Sequence, residues 1–240
     1  MKKGIDVSEW QGTIDWEAVR ASGVDFAILR AGYGRLASQK DKTFDANYFG
    51  CKAAKVPCGA YWYSYATSED EARQEATTCL DILKYDQFEY PIYYDVEEQR
   101  TLALGKEKVS AIIKAFCDVL EKAGYFVGLY MSAYPLGNLV SEEVRSRYAV
   151  WVAHYGVTKP CYSGAYGIWQ KSSTGTVPGI SGNVDLNEAY EDYPAIIKAA
   201  GKNGFSKPEP VQQVKPAEKI KKSVTLVIDD HTYTGLLDEQ

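Results

Sequence analysis

The chain has 240 residues, 45% of them hydrophobic and 25% charged, and its 27 basic against 32 acidic side chains leave a net charge of −5. That apolar content excludes wholesale disorder and suits one sizeable domain with a small appendage. The acidic balance argues against general nucleic-acid binding, and no apolar run approaches the roughly 18 residues of a membrane span, so no membrane insertion is expected. No Sec signal peptide is expected either, since Met1-Lys2-Lys3-Gly4-Ile5-Asp6 puts an acid where an apolar stretch should follow.

Up to about residue 200, short β-rich runs alternate with stretches of helical period. The expected strands are 4–8, 26–31, 58–65, 91–96, 126–131, 149–153, 167–170 and 184–187. The expected helices are 15–21, 45–54, 68–84, 106–123 and 141–146. Ser68 followed by Glu71 reads as a capping box, and Lys122-Ala123-Gly124 as a basic last turn with a closing glycine. Such alternation argues for parallel strands with crossover helices. Eight strands, the last three with short connections, predict an α/β fold: an irregular TIM-like (β/α)5(β)3 barrel over residues 1–205. An open, doubly wound sheet is the structural alternative.

Residues 206–222 hold three prolines and five lysines with no aromatic residue, the composition of a semi-extended linker. Residues 223–240 then read as a β-hairpin tail around Asp229-Asp230-His231. An isolated hairpin is marginal in water. The tail is therefore expected to dock or to make a homo-oligomer.

Five cysteines, Cys51, Cys58, Cys79, Cys117 and Cys161, form no C-x-x-C pair, so buried free thiols are expected rather than disulfides or zinc. With only His154 and His231 present, and His154 expected to be structural, the chemistry falls to carboxylates. In a β/α barrel the catalytic groups gather at the C-terminal ends of the strands. Asp6 sits late in the first strand, Asp95 and Glu97 end the fourth, and Asp185 lies in the eighth. Residues i and i+2 of a strand share a face, so Asp95 and Glu97 are expected about 5–7 Å apart, with Glu98 turned away as a spectator. Like charges so close raise one carboxyl's pKa, and an acid beside an ionised partner suits glycoside hydrolysis. Among 19 tyrosines and five tryptophans, Tyr63 near the third strand's end is the leading candidate for stacking on a sugar, and Tyr65, Tyr130 and Arg30 are further candidates for substrate contact.

Gly4-Ile5-Asp6-Val7-Ser8-Glu9-Trp10-Gln11-Gly12, Tyr94-Asp95-Val96-Glu97, Trp151-Val152-Ala153-His154-Tyr155, Ile168-Trp169-Gln170 and Val184-Asp185-Leu186-Asn187 occur in this order. In their order and spacing the chain resembles the glycoside hydrolase family 25 lysozymes, the Chalaropsis-type muramidases of bacteria and phages, from about Lys3 to about Lys198. The resemblance implies cleavage of the β-1,4 bond between N-acetylmuramic acid and N-acetylglucosamine in bacterial peptidoglycan, with no metal or organic cofactor. It implies Glu97 as general acid, Asp95 as its partner, Asp6 and Asp185 as completing the acidic cluster, and Tyr63 and Trp151 as lining the sugar site. Nucleophilic, inverting and substrate-assisted routes all remain open, with the last preferred. A chitinase with Asp-x-Asp-x-Glu is a rival weakened by Tyr93, which stands where the first acid belongs. A barrel that binds wall glycan without cutting it is the non-enzymatic rival. A phage or prophage endolysin is expected, made in the host cytoplasm and reaching the wall through a holin or from outside.

Overall fold

The computed structural model describes residues 1–207 and 222–237. The chain divides into two units, Met1–Pro208 and Glu209–Gln240. Most of the expected linker lies outside the described residues.

The larger unit is a closed eight-stranded barrel in sequence order. Its strands are β1 (Lys2–Val7), β2 (Phe26–Tyr33), β3 (Cys58–Tyr63), β4 (Ile92–Asp95), β5 (Val127–Ser132), β6 (Ala149–Ala153), β7 (Ile168–Gly175) and β8 (Val184–Ala189). Helices α1 (Trp16–Ala21), α2 (Phe44–Ala53), α3 (Glu69–Leu83), α4 (Gln99–Leu102) and α5 (Lys106–Lys122) cover the first four crossovers, and α6 (Ala133–Leu139) with α7 (Glu142–Arg147) covers the fifth. The irregular barrel read from the sequence is the fold found. Helices α4, α6 and α8 (Tyr193–Ala200) were not anticipated. Yet α8 has legible ends: the Asp192 carboxylate accepts from the Ala195 N–H, Pro194 sits in the first turn, and Gly201 closes the helix in the left-handed region at φ 62°.

One expectation is corrected. The strands are not all parallel: β8 runs antiparallel to both β7 and β1. Residues 176–183 carry Pro178, Gly179 and Gly182 and no helical period. Without a crossover helix, the next strand returns antiparallel. Asp185 therefore sits at the start of its strand rather than the end, and reversal of β8 brings it level with Asp6.

Period-two alternation divides the core into two layers. Ile5, Val7, Leu29, Trp62, Tyr94 and Leu129 face outward under the helices. Phe26, Ile28, Tyr93, Trp151 and Ile168 fill the barrel interior, and Tyr193 plugs its lower end. Gly4 makes the room for Phe26, whose ring atoms lie 2.3–2.5 Å from where a Cβ would stand. Four cysteines are buried and unpaired, and Cys161, against expectation, is exposed. The Ser68 cap forms, but Glu71 reaches one residue further back than a capping box requires, to the Thr67 N–H at 2.8 Å.

The smaller unit is a two-stranded hairpin of β9 (Lys222–Ile228) and β10 (His231–Leu237). Asp229 and Asp230 form its two-residue turn at φ 47° and 63°. That paired positive φ matches the right-handed twist of the strands, and Asp tolerates it better than most side chains.

Candidate active site

The interior face of the barrel turns from apolar to acidic at the C-terminal ends of the parallel strands. Asp6 from β1, Asp95 from β4 and Asp185 from β8 reach this mouth, with Glu97 two residues beyond Asp95. Asp6 and Asp185 are register partners across β1 and β8.

Asp6 is buried at 5% exposure. Its Oδ2 accepts from Asn187 Nδ2 at 2.7 Å and from Gln170 Nε2 at 2.8 Å. Each amide is oriented in turn. The indole N–H of Trp151 donates to Asn187 Oδ1 at 2.8 Å, and the hydroxyls of Tyr130 and Tyr155 donate to Gln170 Oε1 at 2.7 and 2.6 Å. Burial and the neighbouring Asp185 push the Asp6 carboxyl well above its usual range, against the pull of the two amides. Burial also raises Asp185, while its hydrogen bond with Asp6 holds it down. The pair therefore favours a proton on Asp6 and a negative charge on Asp185.

Asp95 is equally buried, and its Oδ1 has no hydrogen-bond partner among the described residues. Burial, then Glu97 and Asp6, push its carboxyl well up, with Arg30 pulling the other way. A buried acceptor without a donor is costly, and such atoms concentrate where a ligand supplies the missing bond. Glu97 is solvent-accessible but crowded at the rim, and it is raised by burial, Glu98 and Asp185 in that order. It borders a groove of about 580 Å³ with Tyr63, Leu102, Ser132, Tyr134 and Leu139. Another cleft, of about 420 Å³, opens between Lys2, Asp25, Pro57 and Tyr90 at the opposite end of the barrel, away from these acids.

The other expected contact residues have separate fates. Tyr63 donates its hydroxyl to Glu98 Oε1 at 2.8 Å. Glu98 is thus not a spectator: β4 stops at Asp95, so strand alternation no longer aims the side chains beyond it. Trp151 is only 1% exposed and meets Tyr130, Tyr93 and Tyr61 ring against ring. It supports the site from beneath and has no open face for stacking. Tyr130 is also buried and acts through Gln170. Arg30 is occupied by Asp41 at 2.7 Å and Glu9 at 2.8 Å, so it clamps two loops and faces Asp95 only as a nearby charge. Tyr65 is 36% exposed and adjoins Tyr63. His154 is structural, its Nδ1 accepting from the Cys161 N–H at 3.0 Å. Sequence reasoning assigned no role to Gln170, Asn187, Tyr155 or Glu98. A signal did exist for two of them: Gln170 lies two residues beyond the inward-facing Ile168 and Asn187 two beyond Asp185, so period-two alternation puts both amides on the inner face.

A family model for glycosyl hydrolases family 25 matches residues 5–180. The autolytic lysozyme of Clostridium acetobutylicum is 30% identical over 217 residues, covering 88% of this chain and 64% of that protein. The chain thus spans less than two thirds of that curated relative. The crystal structure of the CTP1L endolysin superposes with a TM-score of 0.74 at 26% identity, covering 83% of this chain and 70% of that one. The bacterial lysozyme from Streptomyces coelicolor gives 0.72 at 27% identity, covering 83% and 96%. With the match running from β1 to the loop before β8, across the acids of β1 and β4, the chain belongs to glycosyl hydrolases family 25.

Proposed function

We propose that this chain is a peptidoglycan hydrolase, an N-acetylmuramidase that cleaves the β-1,4 bond between N-acetylmuramic acid and N-acetylglucosamine and so lyses the bacterial wall. The observation that carries it is the pairing of a raised, accessible Glu97 with a buried Asp95 that lacks a hydrogen-bond partner at Oδ1. Family membership and the lysozyme and endolysin relatives support the same reading.

Glu97 enters the reaction protonated and gives that proton to the glycosidic oxygen as the bond to C1 breaks. Asp95 Oδ1 accepts the N–H of the sugar's 2-acetamido group and turns its carbonyl oxygen toward C1. That oxygen bonds to C1 as the leaving sugar departs, giving a cyclic oxazolinium ion. Water then attacks C1 as the C1–O bond of the oxazolinium ring breaks and the acetamido group is restored, and the water loses its proton to Glu97, so the configuration is retained. Burial, Glu98 and then Asp185 keep Glu97 protonated, and the charge on Asp185, held beside a protonated Asp6, favours the cationic transition state. Tyr63 and Tyr65 offer ring faces to the sugars.

Digestion of purified peptidoglycan is expected to release fragments with N-acetylmuramic acid at the new reducing end, first formed as the β-anomer. Reducing-end N-acetylglucosamine would overturn the bond assignment. Inverted product alone would overturn the substrate-assisted route.

The hairpin is proposed to pair with a second copy of itself, after release to the wall by a holin or from outside, giving more than one wall contact per particle. Its paired strands place Leu226, Ile228 and Tyr233 on one face, each more than half exposed. Removing residues 206–240 is expected to reduce the mass in light scattering to that of the monomer and to weaken wall binding. An unchanged mass and affinity would refute the pairing.

A further inference from the structure

An aromatic row leads away from the carboxylates along the barrel mouth. The rings of Tyr63 and Tyr65 meet edge to face at 5.3 Å, and those of Tyr65 and Tyr33 at 6.0 Å. The Arg100 guanidinium lies 5.2 Å from the Tyr65 ring centre. A cleft of about 430 Å³ opens there, lined by Arg35, Leu36, Gln39, Tyr65, Gln74 and Arg100. Three arginines flank the mouth. Arg30 is held by Glu9 and Asp41, and Arg35 by Glu71 at 3.0 Å. Arg100 is exposed, and among the described residues no carboxylate lies within 4.0 Å of it. Glu71, the nearby acid, is already engaged by the Thr67 N–H and by Arg35.

We infer that this cleft is a subsite for a carboxylate of the peptide stem borne by the muramic acid of the substrate, with Arg100 as its cation. The inference rests on the muramidase reading and adds a recognition element to it. The stem is anionic, and the mouth presents Asp6, Asp95, Glu97, Glu98 and Asp185, so stem carboxylates bind best away from those acids. Arg100, on α4 three residues beyond Glu97, offers an exposed guanidinium against the Tyr65 ring with no carboxylate within 4.0 Å among the described residues. An extended peptide advances about 3.3–3.6 Å per residue, so two or three stem residues span the two ring contacts from Tyr63 to Arg100. A guanidinium lying against a tyrosine ring keeps its N–H edge free for a bidentate carboxylate.

The test uses soluble glycan strands with intact stems, and the same strands after their free carboxyls are converted to amides. Wild type is expected to lose about tenfold in kcat/KM on the amidated strands, mostly through KM, the size expected for one charge-assisted pair. Arg100→Gln is expected to lose about tenfold on native strands, and its deficit against wild type to shrink to within about twofold on amidated ones. Matched melting temperatures establish that the variant is folded. An equal deficit on both substrates, or none on either, overturns the subsite while leaving the muramidase reading standing. Cleavage of neither substrate by wild type overturns the muramidase reading, and the subsite with it.

Discussion

Replacing Glu97 by Gln is expected to lower kcat/KM on peptidoglycan by about 10²–10⁴-fold, the range for a positioned general acid. The substitution keeps shape and volume but removes the transferable proton. Burial, Glu98 and Asp185 all raise this carboxyl, so the wild-type group holds its proton above the usual glutamate range. The basic limb of the rate profile is therefore expected to report a group titrating above 4.5, the ordinary glutamate value. That limb should be absent from the residual activity of Glu97→Gln. Because Glu97 is solvent-accessible, the melting temperature should hardly move. Muropeptide release followed by mass spectrometry measures the effect. A variant with more than a tenth of wild-type activity would remove Glu97 from the acid role.

Asp95→Asn is expected to do two opposite things: reduce activity about 10²-fold or more and raise stability at neutral pH. The activity falls because the amide loses the charge that orients and stabilises the reacting acetamido group. The stability gain follows from proton linkage. Asp95 is raised well above 3.8 in the folded chain by burial and by Glu97 and Asp6. Below 3.8 the carboxyl is protonated whether folded or unfolded, and it imposes no charge penalty. Between 3.8 and its raised folded value the folded state binds the proton more tightly than the unfolded one, so stability falls as pH rises through that window. Above the window the penalty is complete. Asparagine does not titrate there. The variant is expected to melt higher than wild type at pH 7, with the difference shrinking as the pH falls toward 4. Calorimetry across that pH range measures it. A variant no more stable than wild type at pH 7, or a gain independent of pH, would show that the buried charge carries no such penalty.

Both expectations begin from residues that were visible in the chain. The Asp95-x-Glu97 spacing is explicit in the chain, and the structure turns Asp95 inward on the same face of β4 as Tyr93. What alternation did not reveal was the fate of residues after the strand ends. Glu98 turns to Tyr63 because no ladder fixes its direction there. Arg30 is a sequence candidate for substrate contact, but it lies within β2 and is tied up by its own partners. Its partners, Glu9 and Asp41, come from loops 21 and 11 residues away. Such pairings depend on loop geometry, which leaves no periodic signal.

The sequence by itself determined the order of strands and helices, because hydrophobic periods of two and 3.6 are local and repeat along the chain, while closure of the eight strands into a barrel was decided by the tertiary structure. The sequence also determined which acids lie near strand ends. Tertiary structure alone decided which of them share a field. The antiparallel return of β8 set Asp185 against Asp6, and barrel closure brought Gln170 and Asn187 onto one Asp6 oxygen across 164 and 181 residues. Charge coupling and hydrogen bonding fall off over a few ångströms of space and do not follow distance along the chain, so they emerge only once the barrel is closed.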